Sequence, residues 1–359
     1  MDSTEAGKDD RIEPINTQAF GYSGENERKR NGMIFKCKNC GGNVVYDPER
    51  KEMVCPYCDG IQTQEREAGK GLTVCSNCGA PMEAGEYGSA VRCEYCGHYT
   101  IFEERVEKEY RPQFILPFRL GQKTAAERMK AEFKRRIFAP DSFLSEASVG
   151  KMEGSYVPFW LYDMSADCYY SGTGTKVRVW TRGDTQYTET SYYQVIREME
   201  VDFDKVPVDA SIDLNDEVMD LLEPYQYGEL EDFAPEYMSG FLGEVYNKSA
   251  EELSERAEDR AREDAKSLVR ETVAGYSTIL PQQETIQLAR RQAHYALLPV
   301  WCYRYRYREK DYDCFVNGQT RKVVGKAPVS AGCIAAYGGT FFLCMLAIMA
   351  LVTAILEVL

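Results

Sequence analysis

Eight of the thirteen cysteines lie in four Cys-x-x-Cys knuckles, and the pattern repeats itself after 38 residues. The first set is Cys37, Cys40, Cys55 and Cys58; the second is Cys75, Cys78, Cys93 and Cys96. In each set 14 residues separate the two knuckles. Few folds are open to such a stretch. Two tight turns, each offering two thiolates, can converge on one tetrahedral ion with metal–sulfur distances of about 2.3 Å. The spacing is that of a zinc ribbon, and the repeat predicts two ribbons in tandem. The expected cofactors are two structural Zn²⁺ ions, each held by one cysteine quartet. Each ribbon has few apolar residues, so metal binding is expected to supply most of its folding energy.

The competing use of such cysteines is disulfide bonding. No secretory leader is read at the start of the chain, which favours a reducing compartment and free thiols. Gly41, Gly79 and Gly97 follow three of the knuckles, where a turn of this kind often needs positive φ, and Asp59 stands in the fourth. His98 does not complete a haem-attachment motif, because Gly97 intervenes. With the quartet already full, His98 reads as an ordinary strand residue. Four thiolates leave no open position for water, so the sites are structural rather than catalytic.

The chain is long enough for several domains. Residues 1–32 are polar, charged and aperiodic and read as a disordered tail. Ribbon 1 is placed at 33–70 and ribbon 2 at 71–102. An acidic linker follows at 103–111, then an α+β domain rich in strands at 112–326. In that domain residues 123–138 read as a helix ended by Pro140, and 156–162, 177–180, 192–203 and 297–307 read as strands. Residues 214–247 look more helical, with Met238, Phe241, Leu242 and Val245 on one face. Ser249 and Glu252 form a capping box for a helix over 249–273 with a narrow apolar stripe. That stripe suits a helix lying on its own domain, or a docking helix for a partner. Asn317-Gly318 predicts a type I′ hairpin. Pro158–Tyr162 and Pro299–Tyr303 look alike and suggest a duplicated unit. Cys168, Cys302, Cys314, Cys333 and Cys344 read as reduced packing residues.

The C-terminal end is apolar. From Ala327 to Leu356 there is no charged residue. About 20 such residues cross a bilayer core, so a transmembrane helix is expected at 330–356. Arg321, Lys322 and Lys326 precede it and only Glu357 follows. The bias of cations places the bulk of the chain in the cytoplasm, as a single-pass protein of the cell (inner) membrane. The fold class expected is thus α+β and multidomain: two tandem zinc ribbons, a strand-rich domain and one C-terminal transmembrane helix.

The sequence has no phosphate-binding P-loop, no metalloprotease helix motif and no nucleophile elbow, and its two histidines, His98 and His294, sit in no catalytic pattern. The chain is expected not to be an enzyme. Its net charge is −14, and between Met33 and Phe102 seven Lys/Arg stand against nine Asp/Glu. That balance disfavours nucleic acid as a partner.

Several segments together carry a family resemblance: the tandem knuckles, Phe138-Ala-Pro-Asp-Ser-Phe143, Tyr156-Val-Pro-Phe-Trp-Leu-Tyr-Asp163, Tyr187-Thr-Glu-Thr190, Gly275-Tyr-Ser-Thr278, Tyr295-Ala-Leu-Leu-Pro-Val-Trp301, Asn317-Gly-Gln-Thr320 and the terminal span. As a set they resemble a bacterial family of TFIIB-type zinc-ribbon membrane proteins, often catalogued under the name of the primosomal helicase. The motor motifs are absent here, so helicase activity is not expected. The resemblance implies an accessory membrane protein encoded beside flotillin-like (SPFH) proteins, with one branch linked to recruitment of phage-shock-protein-A-like proteins. Some members continue past the first span, which this chain does not.

Two readings follow. In the first, the chain is a membrane-anchored cytoplasmic adaptor whose ribbons, on an extensible connector, bind protein partners. In the second, it is a membrane-tethered nucleic-acid-binding factor, with Tyr46, Tyr57, Tyr87, Tyr95 and Tyr99 as stacking candidates. A catalytic site in the tyrosine-rich region is the remaining alternative.

Overall fold

A computed structural model describes residues 31–61, 65–70, 75, 77–82, 85, 87–102, 105–106 and 110–358. The tail expected at 1–32 lies outside these residues except for Asn31 and Gly32, which already belong to the first strand. The fold is α+β and rich in strands. In chain order the strands are β1 (Asn31–Lys36), β2 (Val45–Asp47), β3 (Glu52–Val54), β4 (Glu65–Lys70), β5 (Gly88–Arg92), β6 (Tyr99–Phe102), β7 (Phe114–Ile115), β8 (Glu153–Arg182), β9 (Thr185–Asp209), β10 (Glu231–Asp232), β11 (Leu242–Glu244), β12 (Thr278–Tyr307), β13 (Lys310–Asn317) and β14 (Val323–Gly325). The helices are α1 (Gln122–Phe133), α2 (Glu146–Val149), α3 (Asp216–Leu222), α4 (Ser254–Thr272) and α5 (Ala331–Val358).

One sheet runs through the ribbons and the body, in the order β10-β7-β12-β8-β11-β5-β6-β1-β4, with β9 added to β8 and β13–β14 added to β12. Strands β2 and β3 form a separate pair. The joint is β11, which pairs in parallel with β8 (Gly243 with Tyr156) and antiparallel with β5 (Gly243 with Ala90). The ribbons are therefore not held away on an extensible connector. Val106, within the expected linker, is buried in the main core, and Arg105 donates to the carbonyls of Gly85 and Gly88. An apolar side chain in that stretch favours docking over extension.

Three strands far exceed the short ones predicted. β8 and β12 have 30 residues each and β9 has 25, so β8 is about 100 Å long at ~3.3 Å per residue. Its sequence changes character along that length. Tyr156–Phe159 is a continuous buried run, as suits a strand covered on both faces. Alternation follows, and from Arg178 to Arg182 every residue is exposed. The partner strand β12 stops at Thr278, opposite Thr175, so β8 and β9 continue alone as a two-stranded arm turned at Gly183, φ 63°.

Helix α4 lies on this sheet. Ala257, Ala261 and Ala265 are fully buried at four-residue spacing, with Val269 next, and small side chains let the helix approach the strands closely. It is the helix resting on its own domain that the narrow stripe allowed. Ser249 and Glu252 do form the reciprocal cap, at 3.3 and 2.6 Å, although the α-helix proper starts at Ser254. Arg256 reaches Asp209 at 3.0 Å, Asp216 at 2.9 Å and Asp220 at 2.7 Å, and Arg260 reaches Glu223 at 2.6 Å. Asp209 is fully buried; burial, and then Asp216, push its carboxyl up to about 6 against the pull of Arg256.

Three expectations are corrected. Residues 214–247 are mostly irregular, with only Asp216–Leu222 as α-helix, because Pro224, Gly228, Pro235 and Gly240 interrupt the pattern. Met238, Phe241 and Val245 are nonetheless buried, Phe241 stacking on Phe118 at 4.2 Å. Helix α1 ends at Phe133 rather than 138. Asn317-Gly318 is not a two-residue turn, since Val316 pairs with Val323. Asn317 is buried there and ties the loop together: its Oδ1 accepts from the Gln319 and Thr320 N–H groups and its Nδ2 donates to the Leu222 carbonyl. The tight turn lies instead at Arg308-Glu309, φ 48° and 63°, between the paired Tyr307 and Lys310. The look-alike strand starts are antiparallel neighbours, Pro158 facing Leu297, a placement that two copies of one unit would also give.

Helix α5 is apolar and long enough to cross a membrane. Its stretch Ala331–Ala350 has a mean hydropathy of 2.0, and none of it is buried against the rest of the chain.

Candidate metal centres

The knuckles are built by one local rule, four times. The residue after the second cysteine donates its N–H to the carbonyl of the first: Gly41 to Cys37, Asp59 to Cys55, Gly79 to Cys75 and Gly97 to Cys93, all at 2.8–2.9 Å. Closing that turn puts the donor residue at positive φ, 70° for Gly41, 53° for Asp59, 73° for Gly79 and 70° for Gly97. Glycine meets this without strain, and aspartate is among the few other residues that tolerate it. A second bond, from the N–H of Cys37, Cys55, Cys75 or Cys93 to the carbonyl five residues on, completes each loop.

The eight predicted cysteines come together in the two predicted sets. In each, all four sulfurs lie within 4.8 Å of one another. The closest approaches are 3.7 Å for Cys37–Cys58, 3.5 Å for Cys40–Cys55, 3.6 Å for Cys75–Cys96 and 3.8 Å for Cys78–Cys93. A tetrahedron with metal–sulfur bonds of about 2.3 Å has edges of ~3.8 Å, whereas a disulfide needs ~2.05 Å. The donor set therefore fits a four-thiolate metal ion and not a bonded pair.

The surroundings act on the thiols in both directions: backbone N–H groups lower Cys40 and Cys78, but neighbouring sulfurs and burial outweigh them and raise both, Cys40 to about 12. Backbone N–H groups of Gly42, Ala80 and His98 hydrogen-bond Cys40, Cys78 and Cys96, each two residues past the second cysteine of its knuckle. Burial pushes Cys75 up to about 12. It acts in the same direction on Cys96, but the His98 N–H and the Asn77 side chain outweigh it and hold that thiol down to about 7. A thiolate is the form that takes metal.

Two supporting pairs follow the same 38-residue shift as the ligands. Asn39 Nδ2 reaches Cys58 Sγ at 3.8 Å, and Asn77 Nδ2 reaches Cys96 Sγ at 3.7 Å. Lys36 Nζ meets Asn77 Oδ1 at 3.4 Å, which links the ribbons and orients that amide. Tyr57 and Tyr95 stand one residue before the last cysteine of each quartet and are 74% and 73% exposed. The asparagines escaped a reading confined to cysteines; applying the repeat to every residue type would have found them.

His98 is not a ligand in either set, and lies half-buried in the loop before β6. His294 is held at a strand irregularity, Nε2 3.2 Å from Asp163 Oδ2 and Nδ1 3.0 Å from Gln113 Oε1. Asp163 is also tied to the Lys205 N–H at 3.0 Å. The ring and carboxylate thus satisfy backbone and side-chain groups where β8 and β9 slip register.

The chain is 32% identical over 326 residues to the uncharacterized protein YdjG of Bacillus subtilis (strain 168), an alignment that spans 86% of this chain and 95% of the relative. No family model and no solved structure matches the chain.

Proposed function

The chain belongs to the family of Bacillus subtilis YdjG, and from that premise we propose that it is a non-enzymatic, membrane-anchored adaptor. In this reading two Zn²⁺ ions fix the ribbons, since closed four-thiolate sites suit that ion. Helix α5 holds the chain in the cell membrane as a single span, with the bulk in the cytoplasm, as the cations before it favour. The ribbon tips engage protein partners, of which flotillin-like and phage-shock-protein-A-like proteins are the first to try.

The observation that carries the reading is the pair Tyr57 and Tyr95. Both are about three-quarters exposed, at equivalent places on turns whose backbone the metal would hold. Tyrosine is among the residues that most often anchor protein interfaces. A turn already fixed before binding loses little entropy on contact. Exposed tyrosines also serve as stacking platforms for single-stranded nucleic acid, which is the competing reading. The net charge of −14 weighs against it.

The test is crosslinked capture of the full-length protein from native membranes, with and without nuclease, compared with the Tyr57→Ala/Tyr95→Ala variant. The adaptor reading expects flotillin-like or phage-shock-type proteins that survive nuclease and fall at least tenfold in the variant. Nucleic acid recovered with the wild type and removed by nuclease would put the competing reading in its place.

A further inference from the structure

The segment that leaves α1, Lys134-Arg135-Arg136-Ile137-Phe138, is far from α5 in sequence and next to it in space. The Ser330 N–H donates to the Phe138 carbonyl at 2.8 Å, and Cys333 Sγ lies 3.5 Å from the Ala139 carbonyl. The Phe138 ring meets the ring of Tyr337, on the second turn of α5, at 6.0 Å edge to face. If α5 spans the membrane, this loop sits at the level of the lipid headgroups.

Its composition suits that depth. Lys134, Arg135 and Arg136 are exposed, and so are Ile137 (48%) and Phe138 (41%). Arg321, Lys322 and Lys326 lie just before α5, and neither 133–140 nor 320–330 contains an acidic residue, although Glu132 and Asp141 flank the first. Among the described residues, Lys134, Arg135, Arg136 and Lys326 have no carboxylate partner. Between the two segments is a cavity of about 340 Å³, with Arg136 and Lys326 in its wall beside Phe138, Ala327, Pro328 and Val329. Cations and apolar side chains thus share one opening, in a chain whose charge is otherwise acidic.

We propose that this cavity is a binding site for the headgroup of an anionic phospholipid, with Arg136 and Lys326 on the phosphate and Ile137, Phe138 and Val329 against the first part of the acyl chains. Basic clusters beside a span are drawn to anionic lipid by about 1 kcal/mol per cation, and aromatic and aliphatic side chains are at home in the interfacial layer. The site rests on the reading of α5 as a span. It extends that reading, because it makes the body of the protein, and not only the helix, a contact of the membrane.

The test uses the full-length protein in a non-ionic detergent, with native mass spectrometry to count retained lipid. Phosphatidylglycerol should be retained in preference to phosphatidylcholine. The Arg136→Gln/Lys326→Gln variant should bind it about 30-fold more weakly, from two lost cations. The charge-keeping Arg136→Lys/Lys326→Arg variant should retain it. Equal retention of the two lipids, unchanged binding by the glutamine variant, or displacement by inorganic phosphate at equal concentration would each overturn the proposal. Alkaline carbonate extraction of native membranes separates the two failures. A chain that stays in the pellet without lipid preference overturns this site alone, and a chain that is released overturns the span and the site together.

Discussion

The two ribbons share a metal geometry and differ in what supports it. Ribbon 1 is built into the body. Met33, Phe35, Val44, Tyr46, Met53 and Cys55 belong to the same core as Phe118, Tyr156 and Trp301. The segment around Ser239 clamps it from outside: the Tyr46 N–H donates to the Ser239 carbonyl at 2.9 Å and the Ser239 hydroxyl to the Val44 carbonyl at 2.7 Å. Ribbon 2 adds only Ala90 and Ile101 to that core, and its buried cysteines sit in a small cluster of their own, Cys75, Met82 and Cys93. It reaches the body through β5 on β11 and the Arg92–Glu153 ion pair at 2.6 Å. Identical ligand spacing thus produces one metal site with two of its cysteines, Cys37 and Cys55, in the large shared core, and one whose buried cysteines, Cys75 and Cys93, sit in a small cluster. Burial of more apolar surface supports the first beyond its metal, and the second, with less, depends more on its ion.

The largest effect should come from breaking each site in turn. Cys55→Ser and Cys93→Ser should each release one metal ion, measured with a chromophoric chelator. Cys55 is fully buried in the shared core, so its variant should also weaken the main thermal transition by about 4 kcal/mol, toward the large end of single-substitution effects, where loss of a metal falls. The Cys93→Ser variant should leave that transition within about 1 kcal/mol. Equal losses in both would erase the distinction between the ribbons.

A smaller change tests the clamp. Gly240 has φ 96°, and a Cβ there would come within 3.1 Å of Val45. Gly240→Ala should cost about 1–2 kcal/mol and speed hydrogen exchange at the Tyr46 amide. Gly85→Ala, where a Cβ meets nothing within 4 Å, is the matched change in ribbon 2 and should do neither. Unchanged exchange at Tyr46 in the Gly240 variant would show that the clamp does not hold ribbon 1.

The smallest effect concerns the one knuckle without glycine. Asp59→Gly relieves a non-glycine residue at φ 53° and should tighten metal retention in ribbon 1 by under about 1 kcal/mol. Gly97→Asp should loosen ribbon 2 by a similar amount. A competition titration against a chelator of known affinity reads both; opposite signs would mean that the Asp59 carboxylate contributes more than its backbone costs.

The ligand set was legible in the sequence because a Cys-x-x-Cys knuckle is a local object. Its turn, its positive-φ residue and its sulfur separation are decided within six residues, and the 38-residue repeat names the partners. The apolar run of α5 is local in the same sense. The capping box at Ser249 and Glu252 was readable for that reason too. The hairpin at Arg308-Glu309 was not, since neither residue carries the usual glycine signal and the turn is imposed by the strands on either side. The helical look of 214–247 also misled: Met238, Phe241 and Val245 are buried, but by packing of an irregular segment rather than along a helix face.

The sequence by itself determined which residues can hold metal, which segment can cross a membrane and where the small-residue face of α4 lies, because each depends on residue type and short spacing. The tertiary structure alone decided that the ribbons share a sheet with the body, that β8, β9 and β12 extend into a long arm, and that the basic loop after α1 comes to rest at the root of α5. Those outcomes depend on pairings between residues many tens or hundreds of positions apart, such as Gly243 with Ala90 or Phe138 with Ser330. No local pattern encodes such a pairing; it is selected only when the whole chain buries its apolar surface and satisfies its backbone hydrogen bonds together.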